Sequence, residues 1–163
     1  MRFFLAQSAA LDDYDGLKAR FFPCLQGRWR RETSLHATVL FLGERFTAAE
    51  IVAAVAATPY RLEAAPIEGV AFFERNRIFY AACAHPSLSE TYRRLSRAFG
   101  LQASDAYTPH VTLMRYKRMD TACLRDAADG LKGAPLGRVG GGLKLMQSTL
   151  TAEGAVYETV HRF

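Results

Sequence analysis

A chain of 163 residues that is 50% hydrophobic and 12% aromatic has ample material for a packed interior, which excludes a disordered protein. Its net charge of +5 and pI near 9.3 suit a polyanionic partner, and the prominence of arginine, including Arg28, Arg30 and Arg31, suits phosphate. No apolar run reaches the roughly 20 residues that span a bilayer, so no membrane partner is expected.

The opening Arg2–Ala6 reads as a first strand. Its apolar stretch is too short for a secretory signal, and Asp12, Asp13 and Asp15 follow almost at once. A helix is predicted over Leu11–Phe22, where Leu11, Tyr14, Leu17 and Phe21 recur at helical intervals. Leu35–Gly43 is an apolar strand, and Thr47-Ala48-Ala49-Glu50 is a capping box that opens a second helix, ended by Pro59. Strands follow at Ile67–Phe73 and Ile78–Cys83 around the polar turn Glu74–Arg77. Pro86 and a Ser87–Glu90 box open a third helix with Leu88, Tyr92, Leu95 and Phe99 on one face, and Gly100 stands where it would end. After a second apolar strand at Pro109–Arg115, a fourth helix spans Asp120–Leu131, with Gly133 behind it. Strands at Leu143–Leu150 and Ala155–Phe163, parted by Ala152-Glu153-Gly154, close the chain. The glycine-rich Gly137–Gly142 lacks a strand-to-helix setting and reads as a flexible turn. Cys24, Cys83 and Cys123 are odd in number and widely spaced, so reduced, mostly buried thiols in a cytoplasmic protein are expected.

One pattern occurs twice. Leu35-His36-Ala37-Thr38-Val39-Leu40-Phe41-Leu42-Gly43 is answered by Pro109-His110-Val111-Thr112-Leu113-Met114-Arg115, with the histidines 74 residues apart, about half the chain. Successive side chains of a strand point to opposite faces, so each His shares a face with the Thr two residues on. A lone His in an apolar strand is more often structural than catalytic. The same pair in the same apolar frame, once per half, changes that balance. Two imidazoles meeting in a cleft suit base and acid work near neutral pH, and two hydroxyls can hold phosphoryl oxygens. Arg115 follows His110 by an odd interval and so falls on the opposite face of a straight strand; only a bend brings it to the site. His85, before Pro86, and His161, in the last strand, lack the frame and read as structural. Neither motif carries a carboxylate at ligand spacing, so no metal is expected.

These motifs resemble those of the 2H phosphoesterases, named for two His-x-Thr/Ser motifs, and within them the bacterial RNA 2′,3′-cyclic phosphodiesterases, historically called 2′-5′ RNA ligases. The likeness also takes in Arg2–Ala6, Arg28-Trp29, and Leu145–Ser148 through Gly154 and Tyr157. Val39, Met114 and the Arg30-Arg31-Glu32 stretch depart from the usual pattern. The resemblance implies an α+β fold of two pseudo-symmetric lobes, mainly antiparallel strands with outer helices around a central cleft, in one bilobal domain over residues 1–163. It implies that His36 and His110 are the catalytic pair, that Thr38, Thr112 and Arg115 bind phosphate, and that there is no cofactor. The expected activity is metal-independent hydrolysis of RNA 2′,3′-cyclic phosphate ends to 2′-phosphates, with reversible 2′-5′ RNA ligation beside it. The partners would be RNA ends or small nucleotide phosphodiesters, met by a monomer. Two other readings stay open: a phosphodiesterase for a small cyclic phosphate or 2′-5′ oligoadenylate, and a non-catalytic module binding RNA ends.

Overall fold

The computed structural model describes residues 1–163. In chain order the elements are β1 (Arg2–Leu11), α1 (Tyr14–Phe21), β2 (Leu25–Trp29), a 3-10 turn (Glu32–Ser34), β3 (His36–Gly43), α2 (Ala48–Ala56), β4 (Ala65–Glu68), β5 (Val70–Phe73), β6 (Ile78–Ala82), α3 (Pro86–Ala98), β7 (His110–Met119), α4 (Thr121–Asp129), β8 (Pro135–Thr151) and β9 (Gly154–Arg162). Nine strands form one sheet in the order β4-β8-β1-β3-β7-β6-β5, with β2 on β7 and β9 on β8, all antiparallel. No helix is long and apolar enough to cross a membrane.

The expected mixed architecture is present, and the two lobes are the halves of this sheet. β3 and β7 are joined by one residue pair, Ala37 with Val111, so the sheet parts on either side of it. One lobe holds β4, β8, β1, β3 and β9; the other holds β7, β6, β5 and β2. The lobes are interleaved along the chain, because β2 crosses into the second while β8 and β9 return to the first. Helices α2 and α3 cover one face, packing on β8 and β3, and α1 meets α4. Thirty-one buried residues make a single core beneath that face, drawn from both lobes.

Local signals explain most boundaries. Thr47 accepts the Glu50 amide while the Glu50 carboxylate accepts the Thr47 amide, so the capping box forms as read. Asp120 caps α4, accepting the Cys123 amide. Helix α3 begins one step earlier than its serine box: His85 is the cap, its Nδ1 accepting the Ser87 amide at 3.2 Å.

Three expectations are corrected. Leu11 ends β1 rather than opening α1, since its side chain is buried under a strand that pairs through Leu11 with Gly137. Gly137–Gly142 is no turn but part of β8. A Cβ on Gly137 would fall 2.0 Å from the Ala10 carbonyl oxygen, so glycine here lets β8 lie close against β1. The thiols are not all reduced: Cys24 and Cys123 are disulfide-bonded with Cα atoms 5.4 Å apart, and only Cys83 is free. The Asp120 amide donates to the Cys24 carbonyl, which holds the α4 N-terminus beside the end of α1 and brings the two cysteines together. Because 99 residues separate them, cross-linking removes much denatured-chain freedom. Replacing both by serine is expected to lower the unfolding free energy by about 2–5 kcal/mol, read from the urea midpoint. An unchanged midpoint would show that the bond does not stabilise the fold.

Candidate active site

The Ala37–Val111 pair places the two motifs back to back. Both residues are fully buried on the core face, which turns His36, Thr38, His110 and Thr112 to the open face. Antiparallel register about that pair sets His36 alongside Thr112 and Thr38 alongside His110. A local twofold relation thus passes between Ala37 and Val111.

The two imidazoles are held in the same way. His36 Nδ1 lies 2.8 Å from the Ser34 carbonyl oxygen, and His110 Nδ1 lies 2.7 Å from that of Thr108. A carbonyl only accepts, so each Nδ1 carries the proton and donates, leaving each Nε2 to exchange a proton with a reactant. Each ring also rests on an aromatic pair: Phe4 and Tyr157, both 5.1 Å from His36, and Phe73 and Tyr80, 5.1 and 5.2 Å from His110. Burial pushes both imidazoles below their ordinary range. The carbonyl bonds oppose this, and for His36 the positive charges of Arg30 and His110 push further down.

Arg115 stands on the His110 face, and the reason is a bulge. Against β6, Thr112 pairs with Tyr80 and Met114 with Phe79, so Leu113 is an extra residue. Leu113 and Met114 are both buried, which reverses the alternation and brings Arg115 out on the open side. The same device occurs in β3. Thr38 pairs with Ala6 and Leu40 with Leu5, so Val39 is extra, Val39 and Leu40 are both buried, and Phe41 emerges 59% exposed. Phe41 is therefore the counterpart of Arg115: one lobe offers a cation where the other offers an aromatic ring.

A cavity of about 660 Å³ opens from His110 and Thr38 past Phe41 toward Arg45, Gln102 and Ser96. Its wall at 101–108 is latched to β3, because Tyr107 donates its hydroxyl to the Thr38 carbonyl and stacks on Tyr92 at 4.0 Å. Phe41, Tyr107 and the aromatic seats of the histidines are the site residues that motif reading missed. Their signal was present, since each half carries aromatic residues on the strands flanking its His-x-Thr. Arg30 extends over the Tyr157 ring at 5.5 Å, and Arg28 donates to the Glu153 carbonyl at the β8–β9 turn. His85 caps a helix, and His161 lies against Phe163 at the end of β9; neither joins the cleft pair. No three His, Cys, Asp or Glu side chains converge, so the imidazole pair has around it threonines, aromatic rings and arginines.

The fold has known counterparts. Escherichia coli LigT, solved with 3′-AMP, superposes with a TM-score of 0.75 at 20% identity, covering 99% of this chain and 96% of that one. Structures of the same protein have also been determined with ATP, NADP+ and phosphate. A structure described as a phosphoesterase gives 0.71 at 19% identity over 99% and 96%, and a Thermus thermophilus protein gives 0.67 at 22% over 100% and 97%. A comparison with curated proteins gives no match. At such identities the superpositions show the fold. The sequence itself carries the rest: residues 9–146, which hold both His-x-Thr strands, match the model of the 2′-5′ RNA ligase superfamily, and the chain belongs to that family.

Proposed function

We propose that the protein is a metal-independent RNA 2′,3′-cyclic phosphodiesterase, with His36 and His110 as the catalytic pair and Thr38, Thr112 and Arg115 as phosphate ligands. The observation that carries this is the doubled imidazole: two rings from one chain, each with Nδ1 committed to a carbonyl and Nε2 free. One neutral ring takes a proton from water as its oxygen attacks phosphorus. The P–O3′ bond breaks, and the other ring, as imidazolium, protonates the leaving 3′ oxygen, giving a 2′-phosphate. With an RNA 5′-hydroxyl in place of water, the same transfers in the same direction join ends by a 2′-5′ bond. The hydroxyls of Thr38 and Thr112 and the guanidinium of Arg115 take the charge that gathers on the non-bridging oxygens. Both imidazoles come from one chain, so a monomer suffices.

Phe41 and the cavity beyond it favour a nucleoside as part of the substrate, because an exposed ring beside a phosphate site is a stacking surface for a base. LigT's capture of 3′-AMP and ATP in solved structures supports the same class. A small nucleotide phosphodiester fits this cavity as well as an RNA end does, so both belong in the assay. A cytoplasmic setting loses one of its grounds with the Cys24–Cys123 bond, since such bonds are rare in reducing compartments. The direct test is turnover of a 2′,3′-cyclic-phosphate-ended oligonucleotide in EDTA with product identification; complete dependence on added metal, or a 3′-phosphate product, overturns the assignment.

The pH profile gives a second test. Catalysis needs one neutral and one protonated ring, and both rings titrate below the ordinary imidazole value of about 6.5. In the free enzyme the working form therefore peaks below that value, and kcat/KM falls as pH rises through the higher-titrating ring. A bound phosphate anion favours imidazolium, so the optimum of kcat lies above that of kcat/KM. Arg30→Gln removes a charge that lowers His36 and moves its limb upward. A kcat/KM plateau continuing above about pH 8 would contradict this assignment.

A further inference from the structure

The cationic groups beside the cleft are concentrated on the β7 lobe, and on the other lobe Arg45 stands at the cavity's edge. Past the bulge, β7 carries Arg115, Lys117 and Arg118, all exposed, and the β5–β6 turn beside it carries exposed Arg75 and Arg77. β2 adds Arg28, paired across the strands with Arg115. The close approach depends on Gly27, where a Cβ would fall 2.6 Å from the Arg115 carbonyl oxygen. Arg77 takes the left-handed conformation at φ 55°, and its carbonyl and guanidinium bond the backbone of Tyr116 and Lys117, fixing the turn against β7. None of these six cations has a carboxylate within 4.0 Å, and of the six Arg28 also donates to the Glu153 carbonyl of the β8–β9 turn. The related positions on the other lobe are Phe41, Gly43 and Glu44, which are neutral or acidic. The local twofold thus relates a cationic ladder to an aromatic platform.

We propose that the open face of the β2–β7 pair, with the β5–β6 turn, is a docking surface for single-stranded RNA upstream of the reacting end. The inference rests on the cyclic phosphodiesterase reading, which fixes where that end lies. The ribose chemistry sets the direction. A 2′,3′-cyclic phosphate occupies C2′ and C3′, while the base leaves from C1′ and the chain from C4′, at opposite ends of the ring and both on the face away from the phosphate. With phosphate between the histidines, a base laid over Phe41 sends the upstream backbone over the other lobe. There Arg115 continues from the catalytic centre into Arg28, Lys117 and Arg118. From Thr112 to Arg118 the strand runs about 20 Å, the reach of a short stretch of backbone. Arginine and lysine on a sheet face contact phosphates without reading sequence, so the surface measures length and strandedness.

The test uses the full chain and a variant with Arg75→Ala, Lys117→Ala and Arg118→Ala, exposed positions outside the catalytic set. Substrates are a nucleoside 2′,3′-cyclic phosphate and a hexanucleotide with the same end. In low salt the wild type is expected to favour the hexanucleotide by about tenfold in kcat/KM, and the variant to lose most of that preference while turning over the mononucleotide within about twofold of wild type. The salt slope of log kcat/KM on the hexanucleotide should also flatten, by about 0.7 for each phosphate no longer neutralised. Equal use of both substrates by the wild type, or an unchanged preference in the variant, overturns the surface and leaves the catalytic reading intact. If neither substrate is turned over, the catalytic reading falls, and fluorescence anisotropy with a 3′-phosphorylated hexanucleotide decides the surface alone. Affinity about tenfold weaker in the variant supports it, whereas equal affinities, or equal binding of polyglutamate of matched charge, overturns it.

Discussion

His36→Ala and His110→Ala are each expected to lower turnover of a 2′,3′-cyclic-phosphate-ended RNA by about 10²–10⁴-fold, the usual contribution of a positioned acid or base. The proposed mechanism requires the two rings together, because a proton withdrawn at the attacking oxygen is matched by one given to the leaving oxygen. The double variant should therefore be little worse than either single one, as for groups that act as a unit. Structural collapse is separable from chemistry here. His110 stands on the open face between Phe73 and Tyr80, and its core-facing neighbours Pro109, Val111 and Leu113 are untouched by the change. Asparagine at either position keeps a donor at the carbonyl but offers no titrating nitrogen, and should be as inactive as alanine with a melting temperature near wild type. Retention of activity in either variant would remove that ring from the mechanism.

The doubled motif was legible because its logic is local. Alternation within a strand puts His and Thr on one face whatever the rest of the chain does, and both pairs emerge so. Capping chemistry is equally local, and Thr47 and Asp120 begin their helices where their side chains indicate. What escaped depends on partners distant in sequence. Straight alternation placed Arg115 on the wrong face. The inversion comes from Leu113, an extra residue defined only by the register of β7 on β6. Phe41 was passed over for the same reason, since it is ordinary in an apolar strand until the Val39 bulge turns it outward.

The glycines of 137–142 and the cysteines make the complementary point. A glycine-rich run signals a turn when nothing competes, but β1 offers a full strand of pairing partners, and absence of Cβ is what close packing on Ala10 requires. Spacing rules for cysteine describe short-range frameworks. Cys24 and Cys123 are joined by the chain crossing of β2 onto β7, a consequence of lobes built from interleaved segments that no half-by-half division of the sequence contains.

The matched bulges lead to the second large effect. Arg115→Ala is expected to reduce kcat/KM by about 10²–10³-fold on every cyclic phosphate, because it removes a charged donor from oxygens that gain charge in the transition state. Arg115→Lys should recover only part of this, since a point charge replaces a planar fork that spans two oxygens. Phe41→Ala should behave differently. Stacking contributes about 1–3 kcal/mol per base, so the loss is about 5- to 150-fold on a nucleoside substrate. On a cyclic phosphate of a simple diol, which has no base, Phe41→Ala should change nothing while Arg115→Ala keeps its full penalty. That contrast reads the asymmetry of the two lobes directly. The same bulge, one residue past the same threonine, turns an arginine outward on β7 and a phenylalanine outward on β3. Equal sensitivity of the base-free substrate to both substitutions would show that Phe41 supports the frame of the site rather than a base.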